Sequence, residues 1–170
     1  MHLSVRDELT SLYNRRGFLA QAESVLKLAA RQDTPCALLY GDLDSFKAVN
    51  DGYGHDAGDL ALKTVASILS TTFRETDLVA RLGGDEFTIL AIDVGPDDIA
   101  VILDRITAAV SQSNADREHD ATSNWHLGIS LGLAYFDPQA PQDVEMLLRT
   151  ADAAQYEQKR LRKARATAAA

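Results

Sequence analysis

Apolar residues recur along this chain with two different periods, and the changes of period divide it into elements. Phe18, Leu19, Ala22, Leu26 and Ala29 follow the spacing of one helical face, and Asn14 is placed to cap it, which predicts a helix from about Arg15 to Arg31. Asp33, Thr34 and Pro35 break that pattern. The continuous apolar run Cys36 to Tyr40 then reads as a buried strand that ends at Gly41-Asp42. A polar, glycine-rich loop through Asp51, Gly52 and Gly54 leads to a second long helix, marked by Leu62, Val65, Ala66, Leu69 and Phe73. Leu78 to Ala80 and Phe87 to Ile92 are strand-like, and the Gly83-Gly84 pair between them predicts a hairpin with a two-residue loop. After Pro96, the positions Ile99, Ile102, Leu103, Ile106 and Val110 repeat the helical period. Ser111 to Asn124 is polar and rich in turn formers, and reads as a surface loop prone to disorder. Trp125 to Tyr135 alternates as a strand. Asp143 to about Arg165 reads as a last helix with Val144, Leu147, Leu148 and Ala151 inward, followed by an alanine-rich tail, 166–170, expected to fray.

The resulting order, αβαββαβα, predicts an α/β (α+β) domain with a mixed, mostly antiparallel central sheet flanked by helices. Without its first helix it is a ferredoxin-like βαββαβ core with an embedded hairpin, followed by a helix. At 170 residues the chain is expected to be one domain, 1–170, able to bury about 70% of its unfolded surface without a metal or disulfide staple. A hydrophobic fraction of 46% and a charged fraction of 25% are those of an ordinary globule, with no membrane-length apolar run and no secretory signal. The single Cys36 excludes an intramolecular disulfide and fits a reducing cytoplasm. A formal net charge of −8 argues against general nucleic-acid binding, which is carried by Lys and Arg.

The chemistry concentrates in Arg81-Leu82-Gly83-Gly84-Asp85-Glu86-Phe87, where a tight turn presents two acids. Alone, such a turn reads first as a solvated acidic hairpin, although a glycine backbone can also approach a phosphate closely, and it is the rest of the chain that reverses the preference. Asp42 ends the first strand and Asp85 starts the second arm of the hairpin, so pairing of those strands brings two carboxylates together. Their repulsion is relieved by a divalent cation such as Mg²⁺, which binds one or two carboxylates together with substrate phosphates. That is the arrangement of metal-assisted phosphoryl or nucleotidyl transfer. Glu86 is expected to face away from Asp85 on a regular strand, and Asp44 is read as a helix cap before Phe46. Asn50 and Asp59 can together read a guanine edge, with a turn residue and a first-turn helix acid as the plain alternatives. Lys47, and Lys159 with Lys163 one turn apart, are candidate triphosphate partners, while the basic end of the last helix also suits the helix dipole.

With these motifs in place the chain resembles the GGDEF domain of the diguanylate cyclase family over nearly its whole length. The resemblance rests on Asp7 to Arg16 as the opening motif, Asp42-Leu43-Asp44-Ser45-Phe46-Lys47 through Asn50-Asp51, Gly54-His55 and Gly58-Asp59 as the nucleotide segment, the hairpin, and Ser130-Leu131-Gly132 as the late strand. It implies a palm-like nucleotidyl-cyclase fold and an enzyme that condenses two GTP into cyclic di-GMP with release of two pyrophosphates, across a homodimer. By position, Asp42, the Leu43 carbonyl and Asp85 hold Mg²⁺ or Mn²⁺; Asp85 also accepts the proton, with Glu86 a supporting acid. Phe46, Lys47, Asn50, His55, Asp59, Gly83, Gly84, Lys159 and Lys163 fall in the substrate site. Asp59 favours GTP over ATP. Arg74 and Asp77 match the family's RxxD product-inhibition site, with Arg105 a third contact. The alternative is a receptor domain that binds cyclic di-GMP or GTP without turnover.

The chain departs from the family at Ser11, which replaces a glycine, and at Gln155, Arg162, Lys163 and Ala164, which replace Leu, Gly, Arg and Asn. Because such domains usually follow a sensor and a signalling helix, the chain reads as the catalytic portion of a longer protein, without nucleic-acid or membrane partners of its own.

Overall fold

The computed structural model describes residues 4–118 and 124–169. Among these, helix α1 (Arg15–Gln32) is followed by strand β1 (Cys36–Leu43), helices α2 (Phe46–Tyr53) and α3 (His55–Thr72), and the hairpin β2 (Leu78–Gly83) and β3 (Glu86–Ile92). Helix α4 (Pro96–Arg117), strand β4 (Ile129–Phe136) and helix α5 (Val144–Ala168) complete the chain. The strands form one sheet in the order β2-β3-β1-β4, every neighbouring pair antiparallel. This is the ferredoxin-like order that βαββαβ predicts. The parallel element of the expected mixed sheet reduces to a single bridge, Tyr13 to Ala80, beside β2.

Alternation along the strands divides the core between the two faces of the sheet. Ala37, Leu39, Phe87, Ile89 and Leu131 pack with Leu62, Val65 and Leu69 of α3 and Ile99 and Ile106 of α4. Cys36, Leu38, Leu90 and Ala134 pack with Phe18, Ala22 and Leu26 of α1 and Leu147, Leu148 and Ala151 of α5. Both faces of β1 are therefore covered, which explains its continuous apolar run. Local signals fix the helix ends. The Asn14 side chain accepts from Gly17 N at 2.9 Å to open α1, and Asp143 accepts from Met146 N at 2.7 Å to open α5.

Four boundaries differ from the sequence reading. The expected loop after β1 is largely the helix α2, which buries only Val49 and so leaves little apolar signal. Helix α4 runs to Arg117, through the first half of the expected loop Ser111 to Asn124; residues 119–123 lie outside the described residues. Asn114 explains both this extension and the late start of β4. Its Oδ1 accepts from Leu127 N at 2.7 Å and its Nδ2 donates to Leu127 O at 2.9 Å, giving that backbone a side-chain partner in place of a strand. Arg117, whose guanidinium lies 4.1 Å from the Trp125 ring centre, extends the same contact. Helix α5 continues beyond Arg165, so Ala166 to Ala168 form part of its last turn.

The segment before α1 is tied to the hairpin by a charged, mostly buried knot. Asp7 accepts from Thr10 N at 2.9 Å, from Thr10 Oγ1 at 2.7 Å and from Arg81 Nη1 at 3.1 Å. Burial pushes the Asp7 carboxyl upward, but these donors and the Arg81 charge hold it below its ordinary value. Ser11 sits in the turn of this knot at φ 63°, a left-handed conformation that accounts for the glycine the family resemblance leads one to expect there.

Asp7→Ala should cost about 1–3 kcal/mol in urea unfolding at neutral pH, because it strips partners from buried donors. Asp7 binds its proton more weakly folded than unfolded, so its contribution is present above the ordinary carboxylate range and is lost as pH falls through the folded value. The gap between wild type and variant should close in acid; a gap of constant size would contradict this account.

Candidate active site

The carboxyl end of β1 and the β2–β3 turn meet at one end of the sheet. The register places Asp42 opposite Glu86 on β3 and opposite Ser130 on β4. Leu43 N donates to Asp85 O at 3.2 Å and clips the turn to β1. The turn itself is displaced by one residue from the expected position. Gly83 pairs with Glu86, so Gly84 and Asp85 form the loop and Glu86 begins the second arm. Gly83 and Gly84 have φ 152° and 48°, values open to glycine without strain.

The backbone bond from Leu43 to Asp85 brings the turn beside the end of β1, within reach of the Asp42 charge. The Asp85 carboxyl is pushed above its ordinary value by partial burial first, then by the negative charge of Asp42 and more weakly that of Glu86, with Lys159 opposing. Glu86, expected to stand apart, lies on the same sheet face as Asp42 because residues directly opposite in an antiparallel pair share a face. It accepts from Tyr40 Oη at 2.6 Å, and burial together with that carboxylate pushes the Tyr40 hydroxyl well above its usual range.

Helix α5 supplies the opposing donors. A Cβ added to Gly132 would lie 2.0 Å from Ala151 O and 2.3 Å from Gln155 N, so the α5 backbone rests directly on β4. From that position Lys159 Nζ pairs with Asp42 Oδ1, which also accepts from Gln155 Nε2 at 2.9 Å. Asp44 is not the cap it was expected to be. Its Oδ1 accepts from Ser130 Oγ at 2.6 Å and its Oδ2 from Arg162 Nη1 at 3.2 Å, while Ser45, at φ 57°, precedes α2 without a side-chain cap. Lys163 is exposed and has no side-chain partner among the described residues, so Arg162 rather than Lys163 joins Lys159 at the acids. Gln155, Arg162 and Tyr40 were not among the expected site residues. The spacing 155, 159, 162 marks a single helical face and is the signal that could have found the first two.

The remaining residues line the α2–α3 side. Phe46 packs partly buried against the core, and Lys47, His55 and Asp59 are exposed. A Cβ at Gly58 would fall 2.0 Å from Asn50 Oδ1, so the bare first turn of α3 receives the Asn50 amide beside Asp59. On the other side of the molecule Arg74, Asp77 and Arg105 line one cavity of about 220 Å³ with Thr72, Val101 and Ile102. Asp77 is buried there, its Oδ2 accepting from Arg74 N at 2.8 Å and its Oδ1 from Ile92 N at 3.0 Å.

The sequence model of the diguanylate cyclase GGDEF domain matches residues 4–165. The chain belongs to the GGDEF-domain family. Its GGDEF domain is 38% identical over 159 residues to the bifunctional diguanylate cyclase/cyclic di-GMP phosphodiesterase MucR of Pseudomonas aeruginosa, covering 94% of this chain and 22% of that protein. It is 35% identical to the response regulator PleD of Caulobacter vibrioides, covering 94% of this chain and 35% of that protein. The chain thus spans about a fifth to about a third of the length of these relatives. Among solved structures, the GGDEF domain of DgcB from Caulobacter crescentus in complex with c-di-GMP superposes with a TM-score of 0.84 at 29% identity, covering 94% of this chain and 92% of that one. The palm-like cyclase fold expected from the resemblance is therefore the fold of this GGDEF domain. Among the described residues no helix is long and apolar enough to cross a membrane.

Gly132→Ala should lower stability by about 1–3 kcal/mol or more, since the atoms in the way are backbone and cannot turn aside. Thermal unfolding measures this, and an unchanged melting temperature would mean that α5 does not rest on β4 as described.

Proposed function

We propose that this GGDEF domain condenses two molecules of GTP into cyclic di-GMP, each subunit of a homodimer holding one nucleotide. The observation that carries the reading is the meeting of Asp42 and Asp85 at the end of β1, with Lys159 of α5 beside them. A hard divalent cation suits this donor set. Asp42 Oδ2 accepts no hydrogen bond from any described residue, and the negative charge of Asp42 raises the cost of ionising Asp85, which a cation relieves. No three acids, histidines or cysteines among the described residues are grouped to hold a metal by themselves. Asp42, the Leu43 carbonyl and Asp85 would hold Mg²⁺ or Mn²⁺, which supplies positive charge at the phosphates and acidifies the attacking hydroxyl.

Around it the chain's own residues act on the nucleotide. Asn50 and Asp59 bind the guanine edge, the carboxylate accepting from N1–H and the exocyclic amine, donors that adenine lacks. Gly83 and Gly84 let the turn backbone come close to the phosphates; Lys47, Lys159 and Lys163 offset their charge, with Phe46 and His55 bordering the site. Asp85, a carboxylate at the turn beside Asp42, takes the proton of the 3′-hydroxyl from the partner's nucleotide. The freed oxygen bonds to the α-phosphorus, the bond from that phosphorus to the β-phosphate oxygen breaks, and pyrophosphate leaves. Repetition with the roles of the subunits exchanged closes the ring. The supply of GTP places the reaction in the cytoplasm.

The cavity at Arg74, Asp77 and Arg105 is the proposed product-inhibition site, where two guanidinium groups suit the phosphates of cyclic di-GMP. Each Asp77 oxygen keeps a second lone pair for a guanine donor beyond its backbone bond.

Incubation with GTP and Mg²⁺ should yield cyclic di-GMP on chromatography, and Asp85→Ala should abolish turnover with the melting temperature retained. Product binding without product formation, at high protein concentration, would instead identify a receptor. Cyclic di-GMP at a hundred times its dissociation constant should stabilise the domain by about 2.7 kcal/mol. Arg74→Ala should remove that shift; its survival would place the product elsewhere.

A further inference from the structure

The inward stripe of α5 runs Val144, Leu147, Leu148, Ala151 and then Gln155, four apolar side chains followed by an amide that is 5% exposed. A primary amide so buried costs free energy unless it is hydrogen-bonded, and this one spends a donor on Asp42 Oδ1 at 2.9 Å. The contact joins residues far apart in the chain and depends on the close approach of α5 to β4 at Gly132. Lys159 donates to the same oxygen, so both donors converge on Oδ1 while Oδ2 accepts from no described residue.

The two donors differ in what they do to the carboxylate. Lys159 is a half-exposed ammonium on a flexible stem, and its charge opposes that of an incoming cation. Gln155 is neutral and packed on all sides. Its hydrogen bond restrains the rotation of the carboxylate while leaving its negative charge intact. Second-shell donors of this kind orient ligating carboxylates and govern metal affinity. We infer that Gln155 is a positioning residue that turns the free Oδ2 of Asp42 toward the divalent cation. This rests on the proposed reading that Asp42 holds the metal.

The test uses a GTP analogue with a methylene group between the α- and β-phosphorus, so that no turnover occurs, with binding followed by calorimetry with Mn²⁺ and again with EDTA. Gln155→Leu completes the apolar stripe and should leave the melting temperature unchanged or higher. Affinity for the Mn²⁺ complex should fall about 10–100-fold, while affinity for the metal-free analogue stays the same. Equal loss with and without metal, or no loss in either, overturns the inference. Asp42→Asn serves as the control, because it should abolish the gain in affinity conferred by Mn²⁺. If that gain survives in Asp42→Asn, the metal assignment fails and the inference with it, whereas a gain lost in Asp42→Asn but kept in Gln155→Leu overturns the role of Gln155 alone. Should Gln155→Leu fail to fold, Gln155→Met, unbranched and without a donor, carries the same comparison.

Discussion

The antiparallel pairing of β1 with both of its neighbours is the constraint from which the rest follows. One register puts Asp42 across from Glu86, the other puts it across from Ser130, and both are held by the packing of helices on the two faces of the sheet. A slip of one residue in either pairing would turn core residues such as Leu38 and Leu90 to the opposite layer, so the hydrophobic pattern fixes where the acids stand. The chemistry at the end of the sheet is therefore secured by packing along its whole length.

Helix α5 converts this fixed row of acids into a balanced site. Its polar residues form a line continuous with its buried apolar stripe, so the surface that packs the helix onto β4 also delivers Gln155, Lys159 and Arg162 to Asp42 and Asp44. The division of labour between the acids is visible in their partners. Asp44 has both oxygens engaged and anchors the helix, whereas Asp42 has one oxygen engaged. Asp85 lies in a turn with its carboxylate raised by burial, and Glu86 is held by Tyr40.

The long helices, the strands and the hairpin were legible because each buries an apolar face with a clear period. The placing of the Gly84-Asp85 turn beside the end of β1 was legible because the strand-like run that Asp42 ends must pair with the run that follows Asp85. What escaped were features that no local pattern records. Helix α2 buries a single residue, and the end of α4 is stabilised by Asn114 and Arg117 reaching to Leu127 and Trp125. The roles of Gln155 and Arg162 depend on contacts with residues over a hundred positions away, so the sequence marks them only by the helical face they share with Lys159 and by their departure from the family pattern. Asp44 misled because an acid before a short helix satisfies the capping rule as well as it satisfies a partner on another strand.

The bridge of Tyr13 to Ala80 affects the sheet as a whole. Tyr13 N donates to Val79 O at 3.2 Å and Arg81 N donates to Tyr13 O at 2.9 Å, so the outer margin of β2 already has backbone company. The opposite margin, along β4, is paired only with β1 among the described residues. The two margins of the sheet therefore differ: β2 carries backbone hydrogen bonds to Tyr13 along its outer side, and β4 carries none to a further strand among the described residues.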